Sequence, residues 1–155
     1  MTAPLRLLEL SVLPAWIDYN GHMTEFRYTH VFSDSCEALL RHIGMHDEYV
    51  ASGNSWYTAE THSQFFDEVG VDAEMYTTAQ VLAADTKRLH VFFRLHAGDD
   101  DRLLATLEAM YLHVNTATGK VSAASDDALR QLAALVEAHK NLAFPEKAGR
   151  FVGQR

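Results

Sequence analysis

This chain of 155 residues has one cysteine, few prolines and a deficit of positive charge. Its 13 lysines and arginines face 21 acidic residues, giving a formal net charge of −8. That balance argues against binding to nucleic acid or to an anionic membrane, because both require a broad basic surface. The lone Cys36 cannot form an intrachain disulfide, so nothing demands an oxidising compartment and we expect a cytoplasmic protein.

Long hydrophobic runs are also missing. No stretch approaches the roughly 20 apolar residues of a membrane-spanning helix, and residues 1–4 lack the pattern of a secretory signal. The length and a hydrophobic content of 48% predict a single domain over residues 1–155. Within it we expect a core at about 5–139 and a C-terminal tail over 140–155, extended because Pro145 interrupts it.

Several signatures of catalysis and cofactor binding are absent as well. There is no Gly-x-Ser-x-Gly motif, no glycine-rich phosphate loop and no sign of a redox cofactor. The nine histidines do not combine with cysteine or carboxylate in a familiar ligand spacing, so we expect no metal. Cys36 falls on the apolar stripe of a predicted helix, which favours a packing role over a nucleophilic one.

The periodicities predict an α+β domain in which one long helix lies across a strongly curved antiparallel sheet. Short connections imply antiparallel neighbours, and a single sheet leaves one face and its edges open. We therefore expect self-association as a homodimer or a dimer of dimers. The predicted strands are Leu5–Leu13, Trp56–Phe66, Glu74–Ala84, Arg88–Ala97 and Arg102–Val114. The predicted helices span Thr24–Ile43, ending at Gly44, and a segment that Ser125 caps.

The residues Trp16 to Met23, between the first strand and the long helix, form the most reactive segment. Asp18 lies just before a helix start, where unpaired N–H groups around Met23 to Glu25 can receive negative charge that develops on a substrate carbonyl. Asn20 and His22 are candidates for orienting the carboxylate or the substrate. The alternative is that Asp18 only bonds the local backbone in a turn.

A polar row follows the second predicted strand, which we expect to be central in the sheet. Alternation places Thr58, Glu60, His62 and Gln64 on one face. Glu60 could hold a water molecule or pair with His62 in catalysis. Equally, the row could be an exposed strand face or an ion pair at a contact between subunits.

The segment Asp18-x-x-Gly21-His22-Met23-Thr24, with Tyr28 beyond it, resembles the signature of hotdog-fold acyl-CoA thioesterases of the 4-hydroxybenzoyl-CoA thioesterase type. Thr24 stands where that family usually has asparagine. Three further segments are similar to the betainyl-CoA thioesterases of carnitine breakdown. They are Tyr57-Thr58-Ala59-Glu60-Thr61-His62, Asp85-Thr86-Lys87-Arg88-Leu89-His90 and Leu104-Ala105-Thr106-Leu107-Glu108-Ala109-Met110.

The resemblance implies a hotdog fold, thioester hydrolysis with Asp18 as the catalytic carboxylate, and active sites at a dimer interface near Met23 and Thr24. CoA would be part of the substrate and not a retained cofactor. A cationic acyl group would need aromatic faces and carboxylates. Glu60 could face that cation. The aromatic candidates, each of which could instead be core, are Trp16, Tyr19, Tyr28, Trp56 and Tyr57.

Lys87 and Arg88 form the clearest basic pair and could hold the CoA phosphates, or could simply be solvated. Two other functions stay open. One is a hotdog hydratase or dehydratase that uses His62 and Glu60. The other is a non-catalytic module that binds acyl-CoA, because one fold hosts several functions.

Overall fold

The computed structural model describes residues 3–154, which build one six-stranded antiparallel sheet around a long helix. The strand order is β1-β3-β4-β5-β2, with the short β6 paired to β5. The α+β hotdog arrangement is thereby confirmed. The strands are β1 (Leu5–Ser11), β2 (Asn54–Phe65), β3 (Glu74–Ala84), β4 (Arg88–Ala97), β5 (Leu103–Asn115) and β6 (Lys120–Val121).

The central helix α1 (Glu25–His42) buries one stripe against the sheet. Val31, Phe32 and Leu39 are almost fully enclosed in the core. A polar contact fixes the helix on the sheet, since the Ser35 hydroxyl donates to Thr77 Oγ1 at 2.9 Å. Gly44 follows with a φ of 101°, a left-handed conformation that ends the helix where the sequence predicted.

The strand boundaries agree closely with the periodicities, and those of β3 and β4 agree at both ends. The turn between them is held by Asp85, whose Oδ1 accepts from the backbone N–H of Lys87 and Arg88 at 2.9 and 2.8 Å. Three short elements escaped prediction, a 3₁₀ turn (Pro14–Trp16), α2 (Asp47–Ala51) and β6. Each is too short to carry a periodic signal.

The expectation that the second long strand is central was wrong. β2 is the last strand in the order, so within the described residues it has a neighbour on one side only. Its 12 residues therefore expose a long edge. Such an edge is a pairing surface, which keeps self-association a reasonable expectation.

A β-bulge also changes which side chains share a face of β2. The pairing with β5 shifts between Thr58 and Glu60, which leaves Ala59 as an extra residue. Thr58 consequently lines the side of the strand that faces α1, together with Thr61, whereas Glu60 and His62 line the opposite side. The predicted row with strict alternation is thus broken at Thr58.

The last helix, α3 (Asp126–His139), begins at the predicted cap, where Ser125 Oγ accepts from the Ala128 N–H at 3.2 Å. The tail beyond it is not extended. It forms turns that include a bond from the Ala148 N–H to the Pro145 carbonyl, 3.0 Å long. The tail also bonds to the sheet, where Gln80 Nε2 donates to the Ala143 carbonyl at 3.0 Å. No helix of the described residues is long and apolar enough to cross a membrane.

Candidate active site

The loop that carries Asp18 is a closed backbone turn in front of α1. The Asp18 N–H donates to the His22 carbonyl, and the Gly21 N–H donates to the Asp18 carbonyl, each at 3.0 Å. Gly21 has a φ of 79°, a conformation that glycine adopts without strain. Ile17 and Met23 pair across the base of the turn. The turn therefore holds Asp18 in a defined place beside the helix start.

The Asp18 carboxylate is oriented by one local bond. Its Oδ1 accepts from the Asn20 backbone N–H at 2.8 Å, and the side chain is only partly buried. The turn bond considered as an alternative to catalysis is thus present. It engages one oxygen, and no other protein donor within residues 3–154 bonds the carboxylate. Asn20 contributes its main chain to this contact, since its exposed carboxamide takes no part in it.

The helix start offers fewer N–H groups than the sequence suggested. The Met23 N–H donates to the Val69 carbonyl at 2.8 Å, and the Thr24 N–H donates to the Trp16 carbonyl at 2.9 Å. Thr24 makes no capping bond with its side chain. In the described chain this leaves the N–H groups of Glu25 and Phe26 without a protein acceptor. The predicted donors Met23 and Thr24 are thus occupied, and Glu25 and Phe26 carry the N–H groups that could receive an oxyanion.

A cavity of about 410 Å³ opens beside this helix start. Its Tyr28 hydroxyl donates to the Asp67 carbonyl at 3.3 Å. Burial, followed by the negative charge of Glu68, raises the pKa of Tyr28, and Asp67 and Asp18 act in the same direction. Asp18 therefore shares the electrostatic environment of the cavity. The cavity, hereafter the helix-start cavity, is lined by Met23, Glu25, Tyr28, Phe65, Phe66, Asp67 and Glu68.

His22 points toward the wall of this cavity. Its Nε2 lies 3.9 Å from Glu68 Oε1, and both side chains are about half exposed. No contact joins the imidazole to the Asp18 side chain in the described residues. Of the residues predicted around the octet, the structure brings Asp18, His22, Met23 and Tyr28 together. Phe65, Phe66 and Glu68 join them from the end of β2, which sequence reasoning missed.

The predicted binding residues on the other side of the sheet do not reach Asp18 within one chain. Tyr57 and Arg88 both pair with Leu112, whereas Phe65 pairs with Ala105. Seven residues along β5 correspond to roughly 23 Å. Trp56 is buried edge-on against a histidine ring, that of His113, with ring centroids 5.1 Å apart.

The basic pair of Lys87 and Arg88 is only partly available to bind phosphate groups. Arg88 is engaged by Asp85, with Nη2 2.7 Å from Oδ2, so its charge is locally compensated. Lys87 is exposed on the turn. Two other aromatic candidates lie away from the helix-start cavity. Trp16 is buried beside the Arg27 and His30 side chains, and Tyr19 is 96% exposed.

Glu60 and His62 line a second cavity of about 340 Å³ on the face of the sheet opposite α1. Two residues that the sequence did not single out share it. His90 Nε2 lies 2.8 Å from Glu108 Oε1, and Glu108 Oε2 accepts from the Gly149 N–H at 2.7 Å. His90 and Glu108 come from the neighbouring strands β4 and β5, so only the register between these strands could have revealed their contact. The third partner, Gly149, comes from the tail. We call Glu60, His62, His90 and Glu108 the outer cluster.

Two further expectations concern cysteine and metal. Burial raises the pKa of the Cys36 thiol to about 11, so it stays protonated near neutral pH. Cys36 also touches the core from α1, as the helical periodicity predicted. Within residues 3–154, no group of three or more histidine, cysteine or acidic side chains is placed to hold a metal ion.

The model of the thioesterase-like superfamily matches residues 12–132, which include the Asp18 turn, α1, the four long strands beyond β1 and the first half of α3. The chain belongs to the thioesterase-like superfamily.

Individual relatives agree with the superfamily. The chain is 45% identical over 152 residues to an L-carnitine dehydrogenase/betainyl-CoA thioesterase of a Rhizobium species, covering 98% of this chain but 31% of that protein. The chain thus spans about a third of the length of the first relatives that it matches. A betainyl-CoA thioesterase of Pseudomonas aeruginosa is 38% identical over 154 residues, covering 99% of this chain and 97% of that protein.

A solved structure also matches this chain over its whole length. A hypothetical protein from Staphylococcus aureus, solved in complex with CoA, superposes with a TM-score of 0.91 at 25% identity. The match covers 100% of this chain and 98% of that one. The tail and the short elements around the hotdog core therefore belong to an arrangement that another protein shares.

Proposed function

We propose that this chain is a thioester hydrolase that acts on acyl-CoA, with betainyl-CoA as its substrate and betaine and CoA as products. One observation carries the proposal. The Asp18 carboxylate has one oxygen fixed by the Asn20 N–H, and it stands beside a helix whose Glu25 and Phe26 N–H groups have no protein acceptor. A carboxylate next to such donors is suited to attack on a carbonyl whose oxygen becomes negative.

The reaction can follow either of two routes from Asp18. As a base, the carboxylate removes a proton from water while the water oxygen attacks the thioester carbon. As a nucleophile, it attacks that carbon itself and forms a mixed anhydride, which water then hydrolyses. In both routes the carbon–sulfur bond breaks and the sulfur leaves as the CoA thiolate, which takes up a proton. The N–H groups of Glu25 and Phe26 stabilise the intermediate oxyanion.

The names of the relatives support the acyl group. A relative that this chain covers almost completely is a betainyl-CoA thioesterase. Longer relatives whose names include betainyl-CoA thioesterase contain a segment that matches this chain. The S. aureus neighbour, solved with CoA, supports CoA as the carrier. In this proposal CoA is consumed with the substrate and is not a resident cofactor. The connection to carnitine is supported by the names of the longer relatives, which combine L-carnitine dehydrogenase with betainyl-CoA thioesterase.

Self-association is part of the proposal. The open edge of β2 is available for pairing with a second copy, as a homodimer or within a dimer of dimers. Antiparallel pairing of two β2 edges would bring Tyr57 and Arg88 of one copy toward the Phe65 end of the other. That arrangement supplies a reason for the separation of these residues from Asp18 within a single chain.

The test is release of free thiol from a panel of CoA esters that includes betainyl, acetyl, longer aliphatic and aromatic acyl groups. The expected result is preference for betainyl-CoA and loss of release in Asp18→Asn. Activity confined to other esters would retain the hydrolase and refute the betainyl assignment. Saturable binding of every ester without thiol release would refute the enzyme and favour a binding module.

A further inference from the structure

The helix-start cavity combines aromatic rings with negative charge next to the reacting carboxylate. We infer that Tyr28, Phe65 and Glu68 determine specificity in this cavity by selecting acyl groups that carry a quaternary ammonium. The inference rests on the proposed function, because it concerns the acyl group of the same thioester. The residues are assigned by the geometry of the cavity, and only Tyr28 was among the sequence candidates.

The first argument is an aromatic corner. The rings of Tyr28 and Phe65 meet edge to face, with centroids 5.5 Å apart and planes at 89°. Tyr28 is fixed by its bond to the Asp67 carbonyl, while Phe65 remains 45% exposed at the end of β2. A quaternary ammonium cannot donate a hydrogen bond, so proteins hold it against aromatic faces. Two perpendicular rings offer such faces from two directions.

The second argument is the distribution of charge among the carboxylates of the cavity. Asp67 is already neutralised, because its Oδ2 lies 2.7 Å from Arg102 Nε and its Oδ1 accepts from the Glu68 N–H. Glu68 has only a long contact of 3.9 Å with His22. Its charge acts on the cavity, since Glu68 is the largest charged contributor to the raised pKa of Tyr28. Glu68 is therefore the carboxylate available to a cationic ligand.

The positive side chains near the cavity show which of its aromatic rings is open to a cationic ligand. Lys147 Nζ lies 5.3 Å from the centre of the Phe66 ring, so that ring already faces a cation. This is why the corner is assigned to Tyr28 and Phe65. Arg102 is committed to Asp67 and also to Asp100, 3.0 Å away. Within the described residues of one chain, His22 is a further basic side chain beside these carboxylates, and it faces Glu68 from the loop.

The third argument is the size of a betainyl group. A single methylene separates its quaternary nitrogen from the thioester carbon. The cation must therefore bind directly beside the point where Asp18 and the helix start act on the carbonyl. The helix-start cavity satisfies this requirement, since Glu25, which supplies a candidate oxyanion N–H, lines the same cavity as Phe65 and Glu68. The outer cluster does not, because it lies on the other face of the sheet.

The experiment compares betainyl-CoA with 3,3-dimethylbutanoyl-CoA, in which carbon replaces the quaternary nitrogen without changing the shape. The measured quantity is the ratio of kcat/KM for the cationic ester to kcat/KM for the neutral one. Glu68→Gln should lower this ratio about tenfold, and Phe65→Leu about fivefold. Glu137→Gln, on the exposed side of α3, makes the same charge change away from the cavity and should leave the ratio as it is.

The outcomes separate the two proposals. If wild type hydrolyses both esters and neither Glu68→Gln nor Phe65→Leu changes the ratio, the cation site is refuted while the hydrolase stands. If wild type releases thiol from neither ester, the proposed function fails and this inference fails with it. Thermal unfolding of each variant establishes that it is folded. An equal fall in kcat/KM for both esters in a folded variant would also overturn the assignment, because the effect would not depend on the positive charge.

Discussion

The helix-start cavity with its neighbours Asp18 and His22, and the outer cluster, both bring carboxylates close to a histidine, yet their carboxylates are bonded in different ways. In the outer cluster, Glu108 uses both oxygens, one toward His90 and one toward the Gly149 N–H. At the helix start, Asp18 uses one oxygen, and Glu68 is held only by a long contact. Groups that satisfy one another stabilise a fold, whereas groups left partly unsatisfied are free to act on a ligand.

Replacement of Asp18 should have the largest effect on turnover. Asp18→Asn removes the base or nucleophile and should lower kcat by about 10²–10⁴-fold, the contribution usual for such groups. The free energy of unfolding should change little, because the amide can still accept from the Asn20 N–H. Thiol release and urea unfolding measure the two quantities. Asp127→Asn on α3 is the matched control, and near-normal turnover in Asp18→Asn would refute the assignment.

The second effect is on stability and concerns the outer cluster. Glu108→Ala removes two charge-assisted hydrogen bonds from a largely buried side chain, so it should lower the free energy of unfolding by about 2–4 kcal/mol. Urea unfolding measures this, with kcat followed in the same preparation. A loss of kcat for thiol release comparable to that of Asp18→Asn, without a loss of stability, would transfer catalysis of the hydrolysis to the outer cluster.

Two buried histidines outside both regions should make the stability of the fold depend on pH. Burial lowers the pKa of His113 and of His139 below the ordinary value of 6.5. Below about pH 6.5 the unfolded chain therefore binds protons that the folded chain does not. Stability should fall as the pH drops from 6.5 through the folded pKa values, by at most about 1.4 kcal/mol per pH unit for each histidine.

Urea unfolding at pH 7.5 and pH 5.5 tests this dependence. His139→Asn keeps an acceptor near Nδ1 for the Val81 N–H and cannot titrate. It should therefore reduce the loss of stability between the two pH values. An equal loss in wild type and variant would show that His139 does not contribute to the pH dependence.

The smallest expected effect concerns the tail, which touches both regions. Lys147→Gln removes the cation that lies over Phe66, and should raise kcat/KM for betainyl-CoA about twofold because surface charges act weakly across solvent. Lys140→Gln, which loses only a pair with Glu137 on α3, is the control. A decrease with Lys147→Gln would mean that the tail supports the cavity and does not oppose the cation.

Much of the architecture could be predicted because its signals are local. The stripe of apolar residues located α1, Gly44 ended it, and Ser125 located the start of α3. The order of residues from Asp18 to Tyr28 also located the reactive loop and the family. What failed was non-local, since Thr58 changed face through a bulge that depends on pairing with β5. One local contact was missed as well, since Arg88 pairs with Asp85 three residues earlier, in a turn whose geometry the spacing alone did not specify.

The sequence by itself determined the elements and the presence of a carboxylate before a helix, because helical and strand periodicity, caps and turns depend on residues close in the chain. Tertiary structure alone decided which groups surround that carboxylate. Phe65 and Glu68 reach Tyr28 only because the end of β2 returns to the start of α1, where Met23 bonds to Val69. It likewise decided that Glu108 is satisfied and Glu68 is not, since pairing between distant segments settles which charges remain available.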